Sequence, residues 1–167
     1  MYDQLTKKDI ERMQQEIEHR KLVVRKEAIE AVKEARAQGD LSENFEYYAA
    51  KKDKNKNESR IRYLERMIKT AKVISDDSGE DEVGLNNTVD LLIVEDNEIE
   101  TYKITTTVKE DALHGLISIE SPLGKALLGH KIGDQITIKV SDSYSYDVVI
   151  KDIKNTVDDG SDRMRSF

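Results

Sequence analysis

The chain has 167 residues, of which 37% are hydrophobic and 37% charged, with a mean hydropathy of −0.68 and no Cys. That composition excludes disulfides, thiolate zinc sites and a Cys nucleophile, and it disfavours one large core; charge at this level belongs to solvated helix faces and polar segments. Residues 1–74 carry 18 Lys+Arg against 14 Asp+Glu, and the remainder 9 against 20, so a basic first half is joined to an acidic second half within a net charge of −7. The first ten residues hold no apolar run of signal-peptide type, and no stretch has the length of a membrane span. A cytoplasmic, monomeric protein is expected.

In chain order, residues 7–38 are predicted as one long helix. Thr6 stands as N-cap with Asp9 three residues on, and Ile10, Met13, Ile17, Val24, Ala28, Ala31 and Ala35 recur at three- and four-residue steps, interrupted by Arg20. Gly39 is the expected stop. A second helix is predicted from Leu41 or Ser42 to Ala71, with a seam of Tyr47, Ala50, Lys54, Asn57, Ile61, Leu64, Ile68 and Ala71. Two helices of equal length joined by a tight turn make an antiparallel hairpin. The bulky apolar residues lie mostly toward its open end, which marks the turn as the exposed tip.

Residues 76–86 fall in an acidic, Gly-bearing stretch and are expected to be a linker. The period then changes. Strands are predicted at Thr88–Val94, Glu98–Val108, Leu116–Ile119, Gln135–Val140 and Tyr144–Ile150, with a short helix, Leu123–Leu128, opened by Ser121 as cap and Pro122 at the first position. The expected fold class is α+β: a helical-hairpin coiled coil (1–75), the linker, a small antiparallel-sheet domain (87–155) and a polar, frayed tail (156–167).

The chemistry-bearing residues cluster at the tip. Asp40 and Glu43 are three apart at a predicted helix start, which puts both carboxylates on one face. Two such oxygens suit Mg²⁺ when another site completes the coordination shell. The same spacing is also that of a capping box, and the two readings are compatible. Lys51, Lys52, Lys54, Lys56, Arg60 and Arg62 form a basic stretch on the second helix, either a solvated face or an attractor of phosphates. Tyr47 and Tyr48 could stack on bases, although Tyr47 falls on the seam. His19, His114 and His130 have no metal-ligand spacing, and neither a Ser-His-Asp arrangement nor a phosphate-cradling Gly loop is visible.

The run Ala35-Arg36-Ala37-Gln38-Gly39-Asp40-Leu41-Ser42-Glu43-Asn44-Phe45-Glu46-Tyr47-Tyr48-Ala49-Ala50-Lys51 resembles the Gre-family motif AR-x-x-GDLSENAEY-x-AA-K/R. The run from Ser121 to Asp134, SPLGKALLGHKIGD, is similar to a second motif of that family. Leu5-Thr6 and the Ala71-x-Val73-Ile74 closing the second helix also fit. The resemblance implies an FKBP-like second domain and a hairpin that enters the secondary channel of bacterial RNA polymerase. There Asp40 and Glu43 would help hold a Mg²⁺ shared with the polymerase, which cuts the extruded nascent RNA 3′ end. Leu41 and Ser42 would support the acids, Arg36 and Lys51 would guide RNA, and Ser121, Pro122, Leu123 and Leu127 would dock on the channel rim. No cofactor would be held stably by the chain alone.

Some positions depart from the family pattern. Phe45 stands where Ala is usual, Ile10 and Lys26 occupy neighbourhoods that hold Gly and Pro, and Ser141-Asp142-Ser143 replaces a Pro/Gly-rich turn. Two competing functions follow from the same residues: a channel-occupying regulator that does not stimulate cleavage, and a prolyl isomerase or chaperone built on the second domain. Two Phe and no Trp argue against an isomerase pocket.

Overall fold

The structure is a computed structural model that describes residues 3–38, 44–77 and 79–166. It divides into two compact units, one built on Lys7–Lys72 and the other on Gln4–Thr6 together with Val73–Ser166.

The first unit is the helical hairpin. Its first arm comprises α1 (Lys7–His19), a π-helical turn (Arg20–Val24) and α2 (Arg25–Ala37), and its second arm is α3 (Phe45–Thr70). The arm expected as one uninterrupted α-helix therefore carries a wider turn, in which the Arg25 N–H reaches back five residues to the Arg20 carbonyl. The physical reason lies across the seam. The Arg20 carbonyl also accepts the Asn57 amide at 3.2 Å, and the Asn57 Oδ1 accepts the Arg20 guanidinium at 3.0 Å. A side chain inserted into the helical ladder is a recognised cause of such turns.

Apolar packing concentrates toward the open end, where Met13, Ile61, Leu64 and Met67 are buried, while Ala35 is the buried apolar residue near the tip. Thr6 and Asp9, the expected cap pair, are both buried. Ala31 faces solvent, and Val32 is half-buried in its place. Arg60, expected on the basic face, is buried in the seam: its Nε donates to Glu16 at 2.9 Å, and Arg20 donates to the same carboxylate at 2.7 Å. Arg25 binds Glu58 through two hydrogen bonds of 2.9 and 3.0 Å, and Lys21 pairs with Glu65 at 2.6 Å. Half-way along, the hairpin is held by a layer of ionic and amide contacts rather than by apolar side chains.

The second unit holds a five-stranded sheet in the order β5-β4-β3-β7-β6, formed by β3 (Thr88–Ile93), β4 (Glu98–Thr105), β5 (Leu116–Ser118), β6 (Gln135–Lys139) and β7 (Ser145–Lys154). The short strands β1 (Gln4–Leu5) and β2 (Lys72–Val73) pair with each other. The large sheet is antiparallel except for β4 and β5, which run parallel, so it is mixed. β4 stops at Thr105 rather than Val108, and two short 3₁₀ turns, Thr107–Lys109 and Ala112–His114, carry the chain back to start β5 in the same direction. Alternation writes the core. Val89, Leu91 and Ile93 of β3 pack with Ile104, Ile136, Ile138, Val148 and Ile150 under the short helix α4 (Pro122–Leu127).

Helix α4 starts as its sequence dictates. The Ser121 Oγ accepts the Gly124 N–H at 3.0 Å, and Pro122 fills the first turn, where no N–H is needed. Gly124 is required by contact: a Cβ there would lie 1.9 Å from the Ser118 carbonyl oxygen.

Two segments expected to be loose are structural. Within 76–86, Val83 and Leu85 are buried core residues and Val83 exchanges backbone hydrogen bonds with Gly129 and His130, so the linker expectation fails beyond the first few residues. Within 156–167, Asp158 is buried against Lys109, Lys103 pairs with Asp162 at 2.6 Å, and the Arg165 N–H donates to the Val108 carbonyl at 2.5 Å. The tail is thus a strap on the second unit.

Candidate functional site

The tip is built from the two arm ends. The first arm closes at Gln38, whose N–H donates to the Ala35 carbonyl at 3.3 Å. The second arm opens at Phe45, three to four residues later than the sequence suggested, because the cap is Asn44: its Oδ1 accepts the Tyr47 N–H at 3.0 Å. Asn44 also reaches the other arm, donating from Nδ2 to the Ala35 carbonyl at 2.6 Å. Asp40 and Glu43, with Leu41 and Ser42 between them, lie outside the described residues.

Behind the tip, Arg36 lies over the Tyr47 ring at 5.6 Å and donates to its hydroxyl at 3.4 Å. That hydrogen bond, aided by the charges of Lys51 and Lys54, draws the Tyr47 phenol below its ordinary value. Tyr48 meets Tyr47 edge-on at 5.6 Å. Arg36 and Lys51, the expected RNA-guiding residues, are both exposed, and they are linked electrostatically through Tyr47. Lys52, Lys56 and Arg62 are exposed as well, whereas Arg60 is withdrawn into the seam. Phe45 is 85% exposed and so is not a seam residue. The result is a cationic, aromatic-bearing collar next to the segment that carries the two acids.

The expected docking set in the second unit separates by burial. Pro122 is exposed. Ser121 is engaged in capping, and its hydroxyl also donates to the Ser118 carbonyl at 2.6 Å. Leu123 is half-buried against the core, and Leu127 is fully buried within it. Leu127 is therefore corrected from a contact residue to a core residue, since it faces the sheet. Nearby, the Lys131 backbone N–H and His130 hold the Asp134 carboxyl below the usual range, which ties the turn after α4 to its own backbone.

Among the described residues no group of three or more His, Cys, Asp or Glu side chains is placed to hold a metal ion, and no helix is long and apolar enough to cross a membrane. The residues that sequence reasoning missed are Asn44 and Asn57. Asn44 carried a usable signal, as Asn directly before a helical run is among the strongest N-caps. The Asp40–Glu43 spacing drew the helix start forward and hid it. Asn57 was read as a polar seam position, but nothing in its local sequence shows that it meets a backbone carbonyl of the opposite arm.

The profile described as "Transcription elongation factor, N-terminal" (GreA/GreB) matches residues 3–73, and that described as "Transcription elongation factor, GreA/GreB, C-term" matches residues 77–155. The chain is 43% identical over 135 residues to the transcription elongation factor GreA of Bacillus velezensis, covering 81% of this chain and 86% of that protein. It is 40% identical over 149 residues to GreA of Macrococcus caseolyticus, covering 89% and 94%. Among solved structures, the transcription factor Gfh1 aligns with a TM-score of 0.46 at 28% identity, covering 92% of this chain and 97% of that one. With both halves matched in order and relatives 40% and 43% identical along most of its length, the chain belongs to the GreA/GreB family of transcription elongation factors and is of the GreA type.

Proposed function

We propose that this elongation factor binds bacterial RNA polymerase, inserts its hairpin into the secondary channel and stimulates Mg²⁺-dependent cleavage of backtracked RNA 3′ ends, rescuing arrested complexes. It acts in the cytoplasm as an accessory factor, and the bond-breaking chemistry belongs to the polymerase active site. The observation that supports this reading is the tie between Asn44 and Ala35, which brings together the two arm ends that flank Asp40 and Glu43 in sequence.

The donor chemistry fits the metal. Asp40 and Glu43 supply hard carboxylate oxygens, the ligand type Mg²⁺ prefers, and two such ligands are too few to retain the ion without a partner. When bound, Mg²⁺ activates a water and neutralises charge on the phosphodiester. The chain's own contribution is positional. Asp40 and Glu43 present negative oxygens, Leu41 and Ser42 support them, and Arg36 and Lys51 offer positive charge to the RNA phosphates. Pro122, with the exposed edge of Leu123 and the cap at Ser121, forms the surface that docks on the channel rim.

The test is a stalled, backtracked transcription complex with Mg²⁺. Addition of the protein is expected to shorten the RNA from its 3′ end. Asp40→Asn and Glu43→Gln are expected to abolish that shortening while polymerase binding persists. Undiminished cleavage by the doubly neutralised variant would refute the assignment.

A further inference from the structure

Asn44 uses both ends of one side-chain amide. Its Oδ1 accepts the Tyr47 N–H at 3.0 Å and so caps α3, while its Nδ2 donates to the Ala35 carbonyl of the opposite arm at 2.6 Å. Its own carbonyl accepts the Tyr48 N–H at 3.2 Å, which completes the first turn of α3. Ala35 is buried in the last turn of α2, and its carbonyl accepts the Gln38 N–H at 3.3 Å. The cross-arm bond adds a second, shorter donor to that carbonyl from an amide held by its cap. Arg36 and Tyr47 make a second tie across the arms, but it is longer, at 3.4 Å, and exposed.

We propose that Asn44 is a positioning residue: by donating to Ala35 and accepting from Tyr47 at once, it fixes the separation of the two arm ends between which Asp40 and Glu43 lie in sequence, and the action of those acids depends on it. This rests on the reading of Asp40 and Glu43 as the acids that complete the polymerase's Mg²⁺ site. Chemistry distinguishes Asn from the other good caps. Asp accepts the Tyr47 N–H equally well but carries no donor for Ala35, and a Ser or Thr hydroxyl can donate but ends one atom short of Nδ2. The amide has both an acceptor and a donor at the reach that the two arms use. Because the reactivity of a bound ion depends steeply on ligand position, a displacement of about 1 Å is worth up to about a hundredfold in rate.

The experiment uses the full chain with Asn44→Asp, which keeps the cap and has no donor for Ala35, and Asn44→Ser, whose hydroxyl ends one atom short of Nδ2, beside Asp40→Asn. Polymerase affinity, cleavage rate at saturating factor and the Mg²⁺ concentration for half-maximal cleavage are measured on one backtracked complex. Both cap-preserving variants are expected to bind within about twofold of the parent, to cleave about tenfold or more slowly at saturation, and to need more Mg²⁺. Parent-like rate and Mg²⁺ dependence in Asn44→Asp, with Asp40→Asn inactive, would overturn the positioning role and leave the acids intact. A fall in affinity with an unchanged Mg²⁺ requirement would also overturn it, since that pattern belongs to general loosening of the hairpin. Full activity in Asp40→Asn would remove the acid assignment and this proposal together.

Discussion

Lys109 Nζ lies 2.9 Å from Asp158 Oδ2, and both side chains are withdrawn from solvent. A buried ammonium with its counter-ion removed is costly, so Asp158→Ala is expected to destabilise the second unit by about 3–5 kcal/mol. Replacing both partners with apolar residues, Lys109→Met with Asp158→Leu, is expected to recover most of that loss. Urea unfolding of the two variants checks both statements. Asp159→Asn serves as the control, because Asp159 is exposed and its hydrogen bonds are local, to Ser161.

The family profile ends at residue 155, yet Asp158, Asp162 and Arg165 hold the strap in place. Truncation after Asn155 is therefore expected to lower the melting temperature of the second unit by several degrees or more, an effect that differential scanning calorimetry would show.

Glu16 gives the hairpin a pH dependence. Burial pushes its carboxyl up, but hydrogen bonds from Arg60 and Arg20, with their charges, outweigh burial and hold it below its ordinary 4.5. A carboxyl depressed in the folded state adds stability that is present above its unfolded value and lost as pH falls through the folded one. The hairpin is thus expected to weaken below about pH 4.5, the ordinary value. Glu16→Gln should flatten that acid limb in denaturation curves followed by helical circular dichroism.

Gly124 tests the seat of α4. Gly124→Ala drives a Cβ to 1.9 Å from the Ser118 backbone carbonyl, which has no flexible end to yield. The expected loss is about 3 kcal/mol, read by thermal unfolding.

Burial separates the two ends of α4. Leu127→Ala is expected to cost about 2–5 kcal/mol of stability through an unfilled core. Pro122→Asp is expected to leave stability nearly unchanged and to weaken polymerase affinity, as read by competition binding. A Leu127→Ala variant of full stability would contradict its core placement.

Periodicity made most of the architecture legible. Alternation in β3 and the Ser121-Pro122 start of α4 are local signals, and each is found where its side-chain chemistry demands. The misses are non-local. Arg60 reads as one more cation on a basic helix until Glu16 is placed opposite it, 44 residues away. Val83 and Leu85 are flanked by acids and glycines, and only the closing of the sheet shows that they are core. The tail reads as polar because its partners, Lys103 and Lys109, lie about fifty residues upstream or more. The acids of the candidate site were legible from the Gre-family motif; the amide that ties the arms beside them was not, because a capping reading accounts for only half of its bonds.

The wide turn at Arg20–Val24 holds one residue more than an ordinary helical turn, since the Arg25 N–H answers the Arg20 carbonyl across five residues. Deleting one residue there would restore the four-residue step and leave Arg25 to Gln38 facing as they do. An α-helix advances by about 100° per residue, so the same deletion within α2 would swing all that follows around the arm axis by that angle. Ala35 would then face away from Asn44, and a change in the shaft would be felt at its far end.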